Sequence, residues 1–472
     1  MLNESLFKSW VEKETKSFLN RKRRYPHFDP KINFKKNILF FESFFKNPDH
    51  ITQHSFYPFI RMIIETPRYK KTDQKDENGK QIRVLSKKER PLAYSAHFDA
   101  FIYSWYSTQL SHAYEQKIEE WGIYDNVIAY IEKNSSNIEF SHEVFEYIKA
   151  KGNCVALAFD ITSFFDGLDH LHLENMWRLV TDTEKLSKDH LRVFNSLTNY
   201  TYIDKEDLQN EFPHILANKK AKQPTLKICE PHEFRDRIRK KGLIKQNPFK
   251  ITLKESPRFG NKCGIPQGSP ISACLSNIYM IEFDREIAKI ISENNGLYRR
   301  YCDDIIVVVE IEQAEFIRKT ILDKIRKFHL EINDDKTEVT FFKISTNEGL
   351  RGFDENERFK NLQYLGFEFN GQNIYLRSSS MSRYNRRLNA RIRENLKAAY
   401  GKNAIGDIVF RKKLFNRYTE KGTRNFISYA KRAKEHMNSK TIHQQYKNSI
   451  SKVKKRLEKK KQKFEDRKNR KR

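Results

Sequence analysis

Three short segments of the 472-residue chain combine carboxylates, apolar runs and glycine–proline punctuation in ways that could do chemistry. In Cys154-Val-Ala-Leu-Ala-Phe-Asp160, an apolar run of strand length ends in a carboxylate. That is the pattern of a buried strand delivering Asp160 to a site at its end, and equally that of an aspartate capping a helix that follows a strand. In Tyr301-Cys302-Asp303-Asp304, Arg299 and Arg300 precede an acidic pair and the apolar run Ile305–Val309 follows it, so the two carboxylates are expected at the tip of a tight hairpin. Adjacent carboxylates repel and raise each other's pKa unless a cation neutralises them. A solvated turn can hold such a pair, but beside a buried β-branched strand it reads as a divalent-metal site, because Mg²⁺ takes carboxylate oxygens and fills its shell with water and phosphate. In Gly264-Ile-Pro266-Gln267-Gly268-Ser269-Pro270, glycine and proline enforce a tight loop, and Ser269-Pro270 predicts the cap and first turn of a helix beginning near Ile271. Such a loop-to-helix junction can accept phosphate or admit a nucleotide close to the backbone.

The elements that must position these segments belong to a chain long enough for two or three domains. Aromatic residues at 13%, with 35 Phe and 22 Tyr, exclude a disordered chain despite 32% charged residues. No apolar run approaches the roughly 20 residues of a membrane span. Met1–Arg24 has no apolar core of a signal peptide, so a cytoplasmic protein without a membrane partner is expected. The five cysteines lie far apart with no C-x-x-C pair, which argues against a zinc site or a disulfide framework. Lys and Arg number 90 against 61 Asp and Glu, a net charge of +29 that points to a polyanionic partner.

Thr66–Ser86 reads as a β-hairpin turning around Glu77-Asn78-Gly79 and carrying Arg68, Lys70, Lys71, Lys80 and Arg83. Pro91–Trp121 and Glu143–Lys151 read as helix, and Thr181–Gly260 as a long polar, mostly helical stretch. Met381, Tyr384, Leu388, Ile392 and Leu396 recur at helical spacing, and the other faces of that helix carry Arg383, Arg386, Arg387, Arg391, Arg393 and Lys397 with only Glu394 opposing them. A phosphate-facing surface is the reading preferred to a merely solvated one. The last 21 residues, Lys452–Arg472, hold 13 basic and three acidic residues. They are expected to form a basic helix that frays into a disordered tail, able to bind phosphates through residues such as Lys454, Lys455 and Arg456 but unable to form a core.

Together and in this order, the Asp-x-x-x-Phe-Phe strand, the Pro-Gln-Gly-Ser-Pro loop and Tyr-x-Asp-Asp resemble the palm of reverse transcriptases. Leu330–Thr337 resembles the fourth palm motif, Tyr364-Leu-Gly-Phe367 the fifth, and Arg68–Arg83 the fingers hairpin, so the likeness runs over roughly residues 55–400. Within the family the chain is most similar to bacterial group II intron, retron and defence-associated enzymes. Arg90–Asp99, the Tyr-Cys-Asp-Asp form and Arg424–Tyr429 look most like the defence-associated unknown-group enzymes.

The resemblance implies an α+β right-hand polymerase with fingers, a palm of antiparallel sheet on helices, a helical thumb and a basic C-terminal extension. It implies N-terminal extension and fingers over 1–150, palm with the first catalytic strand over 151–180 and a fingers/palm helical insertion over 181–260. Palm over 261–372, thumb and helical C-terminal region over 373–450 and basic tail over 451–472 follow. The implied activity is RNA-directed DNA synthesis with two Mg²⁺ ions, or Mn²⁺ in their place. Asp160 and Asp303 would bridge the metals with Asp304 in support and the Ile161 carbonyl as a further ligand. Arg83 and one of Lys70 and Lys71 would bind the triphosphate, and Lys336 would hold or protonate the pyrophosphate. Phe165 would be the steric gate against ribose, with Gln267 and Gly268 against the incoming nucleotide. The expected partners are a structured non-coding RNA template, a DNA primer or product, and dNTPs; self-association is compatible with the sequence. Synthesis from a dedicated RNA in antiviral defence is the leading expectation. An intron or retron enzyme, template-independent or protein-primed synthesis, and an RNA-binding scaffold are the alternatives.

Overall fold

The computed structural model of the protein describes residues 3–20, 25–75, 77, 81–133, 135–213, 227–333, 337–400 and 409–469; within the first hairpin, the side chains of residues 68–73, 75, 81 and 83 lie outside the description. Two long strands, β1 (Phe59–Lys75) and β2 (Gln81–Tyr94), pair antiparallel from Ile60↔Tyr94 to Lys71↔Arg83. The expected hairpin is therefore present and extends well beyond both expected ends. Pro91 belongs to β2 rather than to the helix that follows. Its missing N–H is tolerated because β2 is an edge strand, and the helix runs His97–Glu120.

β3 (Cys154–Asp160) is central in a five-stranded antiparallel sheet of order β6-β7-β3-β8-β9, with β6 at Leu297–Tyr301, β7 at Asp304–Val309, β8 at Glu338–Ser345 and β9 at Gly349–Phe353. Between them in sequence lie β4 (Thr201–Asp204), which joins β1 in parallel, and β5 (Lys245–Gln246). The expected helical stretch 181–260 thus also supplies strands, and residues 214–226 fall outside the described chain. A second small sheet follows: β10 (Leu362–Tyr364), β11 (Phe367–Phe369) and β12 (Ile374–Leu376).

The apolar runs of β3 and β7 are continuous because both faces of their sheet are covered. Val155, Leu157, Phe159, Ile305, Val307 and Val309 join a core with Ile278, Ile281, Ile287, Ile317 and Ile321 of the helices Ser272–Tyr279, Ile281–Glu293 and Ala314–Lys327. On the other face Cys154, Ala156, Ile306 and Val308 meet Phe145 and Ile148 of the helix Asn137–Lys151, the small sheet, and Ile427, Ala430 and Ile442 of the helices Phe426–His436 and Lys440–Tyr446. Burying each Val, Ile, Leu or Phe contributes about 1.5–3 kcal/mol. A one-residue slip of β7 would carry Asp304 toward this apolar layer, so the register that satisfies the core also keeps the charges at the sheet end.

The C-terminus corrects an expectation. Ser449–Asn469 is one helix docked on Ser378–Tyr400, not a fraying tail without a core. Val453 and Leu457 are buried with Leu388, Ile392, Leu396 and with Leu414 and Tyr418 of the helix Arg411–Tyr418. Asn385 accepts from Arg456 at 2.7 Å, and Lys460 donates to the side chain and backbone of Asn389 at 3.0 and 3.1 Å. Among the described residues no helix is long and apolar enough to cross a membrane.

Candidate active site

Asp160 is the last residue of β3 and is paired with Asp304, the first residue of β7. The two-residue connection Cys302-Asp303 links β6 to β7, with Cys302 in the left-handed region at φ +59°. The Ile161 amide donates to the Asp303 carbonyl at 3.1 Å, which clamps the acidic turn against the end of β3. From the other side the Asn333 amide donates to the Asp160 carbonyl at 2.8 Å and the Thr162 amide to the Glu331 carbonyl at 2.8 Å. Three segments far apart in sequence therefore converge on one edge. Asp160 and Asp303 are half-buried and Asp304 is exposed. Tyr364 of β10 is buried, and burial, with the charge of Asp304 second, holds its hydroxyl well above its ordinary pKa.

The donors at this edge are all oxygen: three carboxylates and the backbone carbonyl of Ile161. Among the described residues no three His, Cys, Asp or Glu side chains are grouped so as to hold a metal ion by themselves, so an ion at this edge would need water and substrate phosphate to complete its shell. An open set of this kind fits Mg²⁺, which keeps several waters and substrate phosphates in its octahedral shell.

The start of the loop Gly264–Pro270 is stitched to the segment that follows Asp160. The Gly264 amide donates to the Leu168 carbonyl at 2.8 Å and the Ile265 amide to the Phe165 carbonyl at 3.0 Å. A Cβ on Gly264 would sit 2.8 Å from the Asp166 carbonyl oxygen, and one on Gly268 would sit 2.8 Å from that of Ala93, and both residues have positive φ. Only glycine fits these approaches. The Ala93 amide donates to the Gln267 carbonyl at 2.8 Å, joining the loop to β2. The helix that follows begins at Ser272, and Ser269 makes no capping bond; the turn closes instead through the Ser272 hydroxyl, which donates to the Pro266 carbonyl at 2.6 Å.

Phe165 is half-buried beside the buried Phe164, their ring centroids 5.8 Å apart, and Gln267 is half-buried and Gly268 exposed on the neighbouring loop. Next to Phe165, burial raises the Asp166 carboxyl to about 6. Lys70, Lys71 and Arg83 lie on the hairpin strands, with Lys71 opposite Arg83, but their side chains are outside the description, and Lys336 falls outside the described residues. The sheet register brings Asp160 and Asp304 together and the turn adds Asp303. Arg383, Arg386 and Arg387 are exposed on Ser378–Tyr400, where Arg391 is paired with Glu394 at 2.8 Å. Lys454 and Lys455 are exposed, while Arg456 is half-buried against Asn385.

Sequence reasoning missed Arg300, Asp284 and Asn277, which are fully or almost fully buried beneath the acidic turn. A charged residue inside a strand, and two polar residues on the buried faces of helices, were the available signal. Burial alone would lower the Arg300 pKa, but the adjoining Asp284 carboxylate raises it further and keeps the guanidinium charged.

An antiparallel sheet thus carries carboxylates at one end, a glycine-rich loop beside them and a helical bundle downstream. Residues 173–369 match the family described as "Reverse transcriptase (RNA-dependent DNA polymerase)", so this stretch of the chain contains a reverse transcriptase domain. Gln267, Asp303 and Asp304 lie inside the matched span, and Asp160 precedes its first residue by 13 positions. The expected α+β right-hand polymerase fold, with its palm sheet on helices, is the one present. Among solved structures, the chain is similar to an apo telomerase from Candida tropicalis truncated from its C-terminal domain, at 12% identity and a TM-score of 0.41 over 67% of this chain and 57% of that one. It is likewise similar to the apo telomerase from Candida tropicalis, at 12% identity and TM-score 0.39, over 95% and 77%. A telomerase from Candida albicans in complex with a TWJ fragment of telomeric RNA matches at 13% identity and TM-score 0.39, over 96% and 59%. The chain spans 57% of the length of the first of these.

Proposed function

We propose that the protein is an RNA-directed DNA polymerase that makes cDNA by attack of a primer 3′-hydroxyl on the α-phosphate of a dNTP. The observation that carries this reading is the pairing of Asp160 with Asp304 beside the Cys302-Asp303 turn, in a chain whose residues 173–369 match the reverse transcriptase family. Two Mg²⁺ ions, when bound, would activate the attacking hydroxyl and neutralise the triphosphate. Asp160 and Asp303 hold that site, Asp304 supports it electrostatically, and the Ile161 carbonyl completes it. Phe165 excludes the ribose 2′-hydroxyl, and Gln267 and Gly268 line the nucleotide from the adjoining loop. Arg83, with Lys70 or Lys71, receives the triphosphate from the hairpin, and Lys336 holds the leaving pyrophosphate. Arg383, Arg386, Arg387 and Arg391 track the duplex backbone, and Lys454, Lys455 and Arg456 contact structured RNA; phosphate contacts of this kind give affinity without reading sequence.

The finer reading is synthesis from a dedicated structured non-coding RNA in bacterial antiviral defence, in the cytoplasm. It is supported by the resemblance of Arg90–Asp99, Tyr301–Asp304 and Arg424–Tyr429 to defence-associated enzymes. Sequencing the nucleic acids that copurify with the protein, before and after dNTPs are added, tests it. One RNA species with a complementary cDNA that grows on dNTP addition is expected. Products unrelated to any copurifying RNA would favour template-independent synthesis instead.

A further inference from the structure

Arg300 has 0% exposure, as does its partner Asp284. Its Nε and Nη2 donate to the two Asp284 oxygens at 2.7 and 2.5 Å, and the Tyr298 hydroxyl donates to Asp284 Oδ1 at 2.5 Å. The remaining Nη1 reaches the Asn277 side-chain oxygen at 3.2 Å and the Cys302 carbonyl at 3.1 Å. Asn277 is itself held, its amide donating to the Ala129 carbonyl at 2.7 Å. The backbone of Arg300 is fixed as well: its amide donates to the Asn126 carbonyl at 2.8 Å and its carbonyl accepts from the Ile128 amide at 3.0 Å.

This is more than stability requires. A buried ion pair is commonly replaceable by apolar side chains of similar volume without loss of stability, so its retention calls for another reason. The acceptor that Nη1 reaches supplies one. The Cys302 carbonyl belongs to the peptide group joining Cys302 to Asp303, and Cys302 is a non-glycine residue at φ +59°, a conformation that L residues resist. Without a donor on that carbonyl, the peptide plane is free to leave the arrangement that sets Asp303 beside Asp160. Asn277 lies on the helix that follows the Gly264–Pro270 loop, so the same fork ties that helix to the acidic turn.

Resting on the polymerase reading above, we propose that Arg300 is a positioning residue. Its guanidinium, oriented by Asp284 and Asn277, fixes the Cys302–Asp303 peptide plane so that Asp303 and Asp160 together take a divalent cation. Groups that orient metal ligands in this indirect way typically change metal affinity or activity about 10–100-fold when removed.

The test compares the full-length wild type with Arg300→Lys, which keeps the charge but loses the fork, and with the apolar pair Arg300→Met/Asp284→Leu. Cys302→Gly is made alone and added to Arg300→Lys. Thermal unfolding without metal, Mn²⁺ affinity by electron paramagnetic resonance without substrate, and the Mg²⁺ dependence of dNTP incorporation are measured. Folded Arg300 variants that bind Mn²⁺ about tenfold or more weakly, with part of the loss in Arg300→Lys recovered by Cys302→Gly, are expected. Folded variants with wild-type Mn²⁺ affinity and Mg²⁺ dependence would overturn the proposal. So would losses that only track the unfolded fraction, or variants that do not fold at all, since Arg300 would then be structural. A wild type that binds Mn²⁺ but incorporates no nucleotide would count against the polymerase reading and leave the positioning role standing.

Discussion

Ala93 and Gln267 are joined by a 2.8 Å backbone hydrogen bond, and the next residue, Gly268, lies so close to Ala93 that a Cβ there would meet its carbonyl oxygen at 2.8 Å. The base of the β1–β2 hairpin and the loop beside the carboxylates are therefore one mechanical unit. Gly268→Ala should strain a residue at φ +121° and push the two apart, at about 1–3 kcal/mol. Steady-state kinetics at saturating template should show KM for dNTP raised about tenfold, the equivalent of roughly 1.4 kcal/mol. An unchanged KM and unfolding temperature would mean that the contact does nothing.

Phe165 has its backbone carbonyl fixed by Ile265 while its ring is half-buried beside Phe164. Trimming the ring should open room for a 2′-hydroxyl. In Phe165→Ala, discrimination against rNTPs in single-nucleotide incorporation should fall about 10–100-fold, the range within which an apolar wall rejects one added hydroxyl. Unchanged sugar selectivity would return Phe165 to a packing role.

Asp166 gives a pH signature. Burial raises its folded-state pKa from 3.8 to about 6, so the folded protein holds this proton more tightly than the unfolded chain does. Stability therefore falls as pH rises from about 4 to about 6 and stays lower above that. Asp166→Asn should raise stability at pH 7.5 by about 1–2 kcal/mol, and the gain over wild type should vanish below pH 4. Denaturant melts across that window measure it; a gain that does not vary with pH would rule out the ionisation as its source.

The C-terminal helix separates two roles along its length. Leu457 is 2% exposed in the bundle core, so Leu457→Ala should cost about 2–4 kcal/mol and loosen the bundle. Lys454 and Lys455 are exposed on the same helix, so changing both to Glu should leave the unfolding temperature within a degree or two. Their substitution should instead weaken RNA binding and flatten its salt dependence by about one unit per lost phosphate contact. Binding isotherms across a salt series distinguish this from a helix whose charge serves only solubility.

How much of this was legible in the sequence varied with the length of the interaction. Cys154–Asp160 and Asp303–Asp304 could be read because the core demands an unbroken apolar run and the chemistry demands charge at its end, both local patterns. Val453, Leu457 and Phe464 form a helical stripe as well, but 13 basic neighbours within 21 residues concealed that it docks on Leu388 and Ile392. β4 was missed because a four-residue strand owes its existence to β1, some 140 positions earlier. The Arg300–Asp284–Asn277 network was invisible for the same reason: its members lie on one strand and two helices and meet only in three dimensions.

On the proposed reading, Asp160, Asp303 and Asp304 form one Mg²⁺-dependent site for nucleotidyl transfer on an RNA template. Extension of a primer annealed to RNA, with dNTPs and Mg²⁺, by the wild type and by Asp303→Ala/Asp304→Ala tests it most directly, with RNA binding measured in parallel. The wild type should extend the primer and lose all activity on chelation of the metal. The double variant should bind RNA as the wild type does while incorporation falls at least about 10³-fold, the scale expected when several kcal/mol of metal-borne charge stabilisation is lost. Undiminished synthesis by the double variant would contradict the account.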